Sequence, residues 1–215
     1  MSSSIVRRSV WFALLAITIT ACSASPQSVA EERPQLTELH SPKVRKMLES
    51  ALQQTRTTTG YTQKYYVIKY PGGDVPSDTG ACTDVVIRSM RNAGVDLQKD
   101  VHEDMKANFS DYPQKWGLST TDTNIDHRRV PNLMKFFERK GKSLKITKNG
   151  KDYKPGDIVS WDLNGKGTTH IGVVSNRWNP DTKRYLIIHN IGGGTRLEDR
   201  LFDWEITGHY RYFED

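Results

Sequence analysis

The sequence predicts an α+β fold, with helices first and an antiparallel sheet after them. Two observations carry this. Apolar residues recur at helical spacing in segments before residue 141, whereas from Asp157 the chain changes to short β-rich runs separated by turn residues. No internal repeat interrupts that order.

The first helix begins at Ser41-Pro42, a cap followed by proline in the first turn, and presents Val44, Met47, Leu48, Ala51 and Leu52 on one face. Lys64 to Tyr70 is β-rich and is broken by Pro71-Gly72-Gly73. A second helix starts at Cys82, with apolar residues at 82, 85, 86, 90 and 93 and Gly94 as its stop. Residues 95–125 read as irregular apart from a short helix around Val101–Ala107. Asp126 is placed to cap a further helix, Val130 to Lys140, with Pro131 early and Gly141 at its end. The expected strands are Asp157–Trp161, His170–Ser175, Tyr185–Ile191 and Gly208–Phe213.

The N-terminus is set apart. Arg7 and Arg8 precede an apolar run from Val10 to Ala21, too short for a resident membrane span. Ile19-Thr20-Ala21-Cys22 resembles the lipobox of bacterial lipoproteins, which implies cleavage before Cys22 and lipid on its sulfur. Ser23 in place of aspartate points to the outer membrane of a Gram-negative cell. The competing expectation is ordinary signal cleavage after Ala30 and a soluble periplasmic protein. Residues 1–21 are thus read as a signal peptide and 22–40, polar and proline-bearing, as a flexible tether. Residues 41–215 remain for one folded domain.

The formal charge is +6, of which Arg7 and Arg8 supply two, leaving about +4 for the mature chain. A mildly basic envelope protein is drawn to anionic polymers such as peptidoglycan. Nucleic acid is a poor partner, because the basic residues are dispersed and no binding motif appears. A metal site lacks the local His and Cys spacing it needs. No cofactor is expected, and the chain is expected to act as a monomer.

Only two cysteines occur. If Cys22 carries lipid, Cys82 is a lone thiol with no disulfide partner. In the first turn of a helix it feels the positive end of the macrodipole, which favours thiolate; the alternative is a small buried hydrophobe. A thiol nucleophile needs a base and a group that orients the base. His170 begins the apolar run His170-Ile171-Gly172-Val173-Val174, and His189 ends Tyr185-Leu186-Ile187-Ile188-His189. Adjacent antiparallel strands bring the two rings together if register and face agree.

Tyr70-Pro71-Gly72-Gly73, Gly80-Ala81-Cys82-Thr83, Pro155-Gly156-Asp157, His170-Ile171-Gly172 and Ile188-His189 follow one another in this order. The series resembles the NlpC-type, papain-like cell-wall cysteine peptidases over about residues 65–195. The resemblance implies a papain-like domain with the nucleophile helix packed on an antiparallel sheet. It also implies a hydrolase of amide bonds in peptidoglycan stem peptides. By the same resemblance Cys82 is the nucleophile, His170 the base and His189 its orienter, with His127 and Asn190 as competitors for that last place. The Cys82 backbone N–H and the Tyr70 hydroxyl would face the oxyanion. Asp157 is expected to stabilise the start of its strand, and His209 to be structural.

Two departures stand out. The family's Asp-Cys-Ser-Gly-Leu is here Ala81-Cys82-Thr83-Asp84-Val85, and the stretch Asn124-Ile125-Asp126-His127-Arg128-Arg129-Val130-Pro131-Asn132-Leu133 has no counterpart in typical members. In that stretch Arg128 or Arg129 could form a fork for a substrate carboxylate; equally, Asp126 could cap the helix while the arginines make surface ion pairs. The rival to an enzyme is a non-catalytic lipoprotein that binds peptidoglycan or a protein partner.

Overall fold

The computed structural model describes residues 41–214; the expected signal peptide, tether and lipidation of Cys22 fall outside the described residues. Four helices pack on a five-stranded antiparallel sheet. The helices are α1 (Pro42–Thr57), α2 (Cys82–Asn92), α3 (Leu97–Ala107) and α4 (Val130–Arg139). The strands are β1 (Ile158–Asp162), β2 (Thr169–Asn179), β3 (Arg184–Asn190), β4 (Thr195–Glu198) and β5 (Glu205–Tyr210), in the order β4-β3-β2-β1-β5. None of the described helices is long and apolar enough to cross a membrane.

The helix ends follow local chemistry. Ser41 caps α1 by accepting from the Val44 N–H, and the buried stripe Val44, Met47, Leu48 and Ala51 faces the core. α2 ends in a Schellman motif: Val95 N–H reaches Met90 O at 3.0 Å and Gly94 N–H reaches Arg91 O at 2.9 Å. Gly94 supplies the positive φ, 88°, that this turn requires. α4 stops the same way, with Lys142 bonded to Phe137 and Gly141 to Glu138.

The structure departs from the sequence expectations at three places. Residues 61–70 form no strand. No sheet edge runs beside them, and side chains take up their backbone groups instead: Asn124 accepts from the Ile68 N–H, while Arg128 and Gln98 donate to the Lys64 and Lys69 carbonyls. α3 is a full helix from Leu97, capped by Asp96, whose thin stripe of Leu97, Val101 and Met105 is hard to see among charged residues. Asp126 does not cap α4; it opens a separate 3₁₀ turn, and Arg129 occupies the cap position without a side-chain bond.

The sheet has two apolar faces. Ile158, Ile171 and Val173 pack with α2, α3 and α4 residues in the main core, which also holds Cys82 and Val86. Val159, Trp161, Val174 and Ile187 form the other face with Tyr153 and Leu201. Neighbouring residues on β2 therefore serve opposite faces. Ile171 meets α2, and His170 points to the tryptophan side.

Candidate active site

Cys82 is the first residue of α2 and is 7% exposed. Its helix start is held by Asp84, whose carboxylate accepts the Ala81 N–H at 2.6 Å. The same carboxylate receives two bonds of 2.9 Å from Arg128, through Nε and Nη2. The side chains of this pair are 3% and 2% exposed, so the ion pair is buried. Thr83 adds a hydroxyl bond to the Arg128 carbonyl. Gly80 packs closely beside it: a Cβ there would lie 3.0 Å from the Asp84 Cβ. Arg88 then gathers the 74–80 loop, donating to the carbonyls of Val75, Pro76 and Thr79 and pairing with Asp74.

A helix start by itself favours the thiolate. Burial outweighs the dipole and pushes the Cys82 thiol up to about 11. A hydrogen bond from the Ile171 backbone pulls the other way, and the charge of Asp84 pushes further up. That bond to Ile171 also sets the thiol against the β2 residue next to His170.

His170, His189 and Glu198 form a diagonal line across β2, β3 and β4. The β2–β3 pairing Val173↔Ile188, continued by one residue, sets Gly172 opposite His189. His170 is two residues from Gly172 and so shares its face. A Cβ at Gly172 would come within 3.1 Å of the His189 Cβ, so glycine leaves room for the second ring. His170 Nε2 and His189 Nδ1 are 2.8 Å apart, and His189 Nε2 lies 3.0 Å from Glu198 Oε2.

A carboxylate only accepts, so His189 carries its proton on Nε2 and offers Nδ1 as acceptor. His170 must then donate from Nε2, which leaves its Nδ1 lone pair free to take a proton. Trp161 and Trp204, with ring centroids 5.7 and 5.9 Å from His170, shield the pair from water. Burial, helped by the charge of His189, lowers His170 to about 3. Burial also lowers His189, opposed by Glu198. At neutral pH the resting state is a neutral thiol and a neutral imidazole.

A cleft of about 300 Å³ opens over the thiol, lined among others by Gln63, Cys82, Trp116, Arg129 and Thr169. Arg128 also borders it, but its guanidinium is committed to Asp84 and to the Lys64 carbonyl, which rules it out as a free fork. Arg129 instead stacks on Trp116, 4.1 Å from the ring centroid.

Tyr70 does not line this cleft: it is 38% exposed and packs edge-on against His102. The tyrosine close to the thiol is Tyr61, whose hydroxyl is pushed up by burial and then by Cys82. His127 is buried and lowered to about 3 by burial and by Arg128, with no hydrogen bond to His170 or His189. Asn190 faces away from the ring pair, donating to the carbonyls of Gly60 and Gly80 and so pinning the loop before Cys82. Asp157 binds His209, Arg211 and the Lys154 N–H at the start of β1, and His209 stacks on Tyr153. Glu198 escaped the sequence reading because β4 is only four residues long and follows three consecutive glycines. Among the described residues no cluster of three or more His, Cys, Asp or Glu could hold a metal ion.

The described residues define the class: an α+β domain with one buried thiol at a helix start, set against a sheet that carries a hydrogen-bonded histidine pair. Residues 48–212 match the family described as Domain of unknown function (DUF1287), and the chain belongs to that family. It is 54% identical over 165 residues to the uncharacterized protein YijF of Escherichia coli, covering 77% of this chain and 80% of that one. Among solved structures, NlpC1 from Trichomonas vaginalis aligns at 12% identity with a TM-score of 0.44, over 82% of this chain and 46% of that one. A protein of the NLP/P60 family, similar to lipoprotein, from Staphylococcus aureus aligns at 12% identity and TM-score 0.42, over 82% and 43%. An N-acetylmuramoyl-L-alanine amidase from Bacteroides uniformis aligns at 13% identity and TM-score 0.43, over 79% and 99%. The chain spans less than half the length of the first two solved chains.

Proposed function

We propose that this protein is a cell-envelope cysteine hydrolase that cleaves amide bonds in peptidoglycan stem peptides. The observation that carries the reading is the His170–His189 hydrogen bond, whose geometry leaves His170 Nδ1 as the one open base on the residue next to the thiol's backbone partner. In the reaction His170 takes the Cys82 proton as the sulfur attacks the carbonyl carbon. The oxyanion is met by the Cys82 backbone N–H at the start of α2. The C–N bond then breaks, the proton passes from His170 to the leaving amine, and an acyl-thioester remains. Water, deprotonated by His170, releases the acid and restores the thiol. Desolvation of the thiol keeps it protonated at rest, so sulfur and imidazole become charged only as substrate arrives.

The sequence resemblances supply the location and substrate: export, lipid on Cys22, residence on the periplasmic side of the outer membrane, and peptidoglycan peptides as partner. Digestion of muropeptides by the purified protein, read by mass spectrometry, tests the reading. Cys82→Ala and His170→Ala should each lower cleavage by roughly a thousandfold or more. The burial of Cys82 favours one second reading, a binding protein that keeps the fold without the chemistry. Peptide binding without cleavage, equal in wild type and both variants, would establish that reading instead.

A further inference from the structure

We propose that Arg129, held over the Trp116 ring, anchors a free carboxylate of the substrate beside the thiol; this inference rests on the hydrolase reading and names what the same cleft selects. Four observations converge on it. Arg129 and Trp116 line the cleft that contains Cys82. The guanidinium lies over the Trp116 ring, 4.1 Å from its centroid, a cation–π contact that holds the side chain at the wall of the cleft. Among the described residues the Arg129 side chain has no hydrogen-bond or ion-pair partner, and its Nη1 is buried and unsatisfied. Its neighbour Arg128 is fully neutralised by Asp84, so the two arginines that border the cleft contribute a single uncompensated cation between them.

The nearby carboxylates do not answer that cation directly. Asp122 is taken up by Tyr65 and the Asn124 N–H; Asp126 accepts the Asp122 N–H on Oδ2, 3.7 Å from His102, and its buried Oδ1 makes no hydrogen bond or ion pair with Arg129. Both stabilise the charge from a distance, while burial is the larger effect and pulls it down. A buried, unpaired N–H is costly, and a substrate carboxylate removes that cost with charge-assisted hydrogen bonds. A cleft of about 300 Å³ is small, so the anchored carboxylate belongs to a residue at or next to the scissile bond.

The test separates binding from turnover. The inert Cys82→Ala protein is titrated by calorimetry with a stem tripeptide of L-alanine, γ-linked D-glutamate and diaminopimelate. Each free carboxylate is then masked in turn as its amide. One mask should weaken binding by about 10- to 100-fold, as loss of a charge-assisted pair does. The remaining masks should have little effect. In Cys82→Ala/Arg129→Gln that sensitive mask should lose its effect, and Arg129→Lys should restore the preference only in part. With active protein the same mask should raise KM more than it lowers kcat. If no mask changes affinity more than about threefold, or if Arg129→Gln keeps the full preference, the anchor is overturned. If the preference is present but nothing is cleaved, the anchor stands and the hydrolase reading falls. The masked series on the parent protein decides the matter even if an Arg129 variant fails to fold.

Discussion

His189 uses both ring nitrogens: Nδ1 lies 2.8 Å from His170 Nε2, and Nε2 lies 3.0 Å from Glu198 Oε2. Glu198 therefore fixes which nitrogen of His170 is free, from two strands away. Its side chain is 27% exposed, so it contacts water as well as the ring. Glu198→Ala should lower turnover by about 10- to 100-fold, the value of one hydrogen bond to a charged carboxylate. Glu198→Gln keeps an acceptor and should lose less. Nitrogen NMR of the two rings should show mixed tautomers in the alanine variant; a single unchanged tautomer there would show that Glu198 does not set it.

The thiol's own titration offers a test that needs no substrate. With Cys82 pushed up to about 11, the thiolate is scarce at neutral pH. Alkylation by iodoacetamide should accelerate about tenfold per unit between pH 7 and 10, without levelling off in that range. A plateau beginning below pH 7 would mean that a thiolate–imidazolium pair already exists at rest. Complete alkylation should abolish hydrolysis.

The Asp84–Arg128 pair makes a stability prediction. Arg128→Ala leaves a buried carboxylate without its cation and should cost about 3–5 kcal/mol, lowering Tm by roughly 6–20 °C. Asp84→Asn combined with Arg128→Met should recover part of that loss. Thermal unfolding followed by circular dichroism checks both; a fall of less than about 2 °C for Arg128→Ala would show that the pair is not a structural tie.

Acid should unfold the protein through its buried histidines. His127 and His170 are both lowered to about 3 in the folded state, against 6.5 for the unconstrained ring. Between those values the unfolded chain binds protons that the folded chain refuses. Stability is therefore complete above about pH 6.5 and is lost as pH falls towards 3, with each ring contributing up to about 1.4 kcal/mol per pH unit. Urea titrations at several pH values should show this slope, and His127→Gln should reduce it. An unchanged slope in that variant would mean that His127 is protonated in the folded protein.

The parts of the fold that depend on local pattern were legible. The α1 stripe, Gly94 and Gly141 as helix stops, and the β2 and β3 runs all announce themselves within a dozen residues. Four features were not legible, for the same physical reason. The extended segment at Lys64–Tyr70 has strand composition but finds Arg128, Asn124 and Gln98 instead of a sheet edge. Tyr61 displaces Tyr70 near the thiol because residues 58–60 are tied to β3, β4 and the loop before Cys82. The choice between Arg128 and Arg129 turns on Asp84, 44 residues away. The thiol's high pKa follows from burial that no helix-start argument contains.

Asp84 and Arg128 stand on different segments, yet each is tolerable in its place only because the other is there. Losing the arginine strands an acid beside the thiol, and losing the acid strands a cation under it. Lineages within the family should accordingly gain or drop the two together. The acid after Cys82 and the arginine 44 residues on would then be one inherited character written at two addresses.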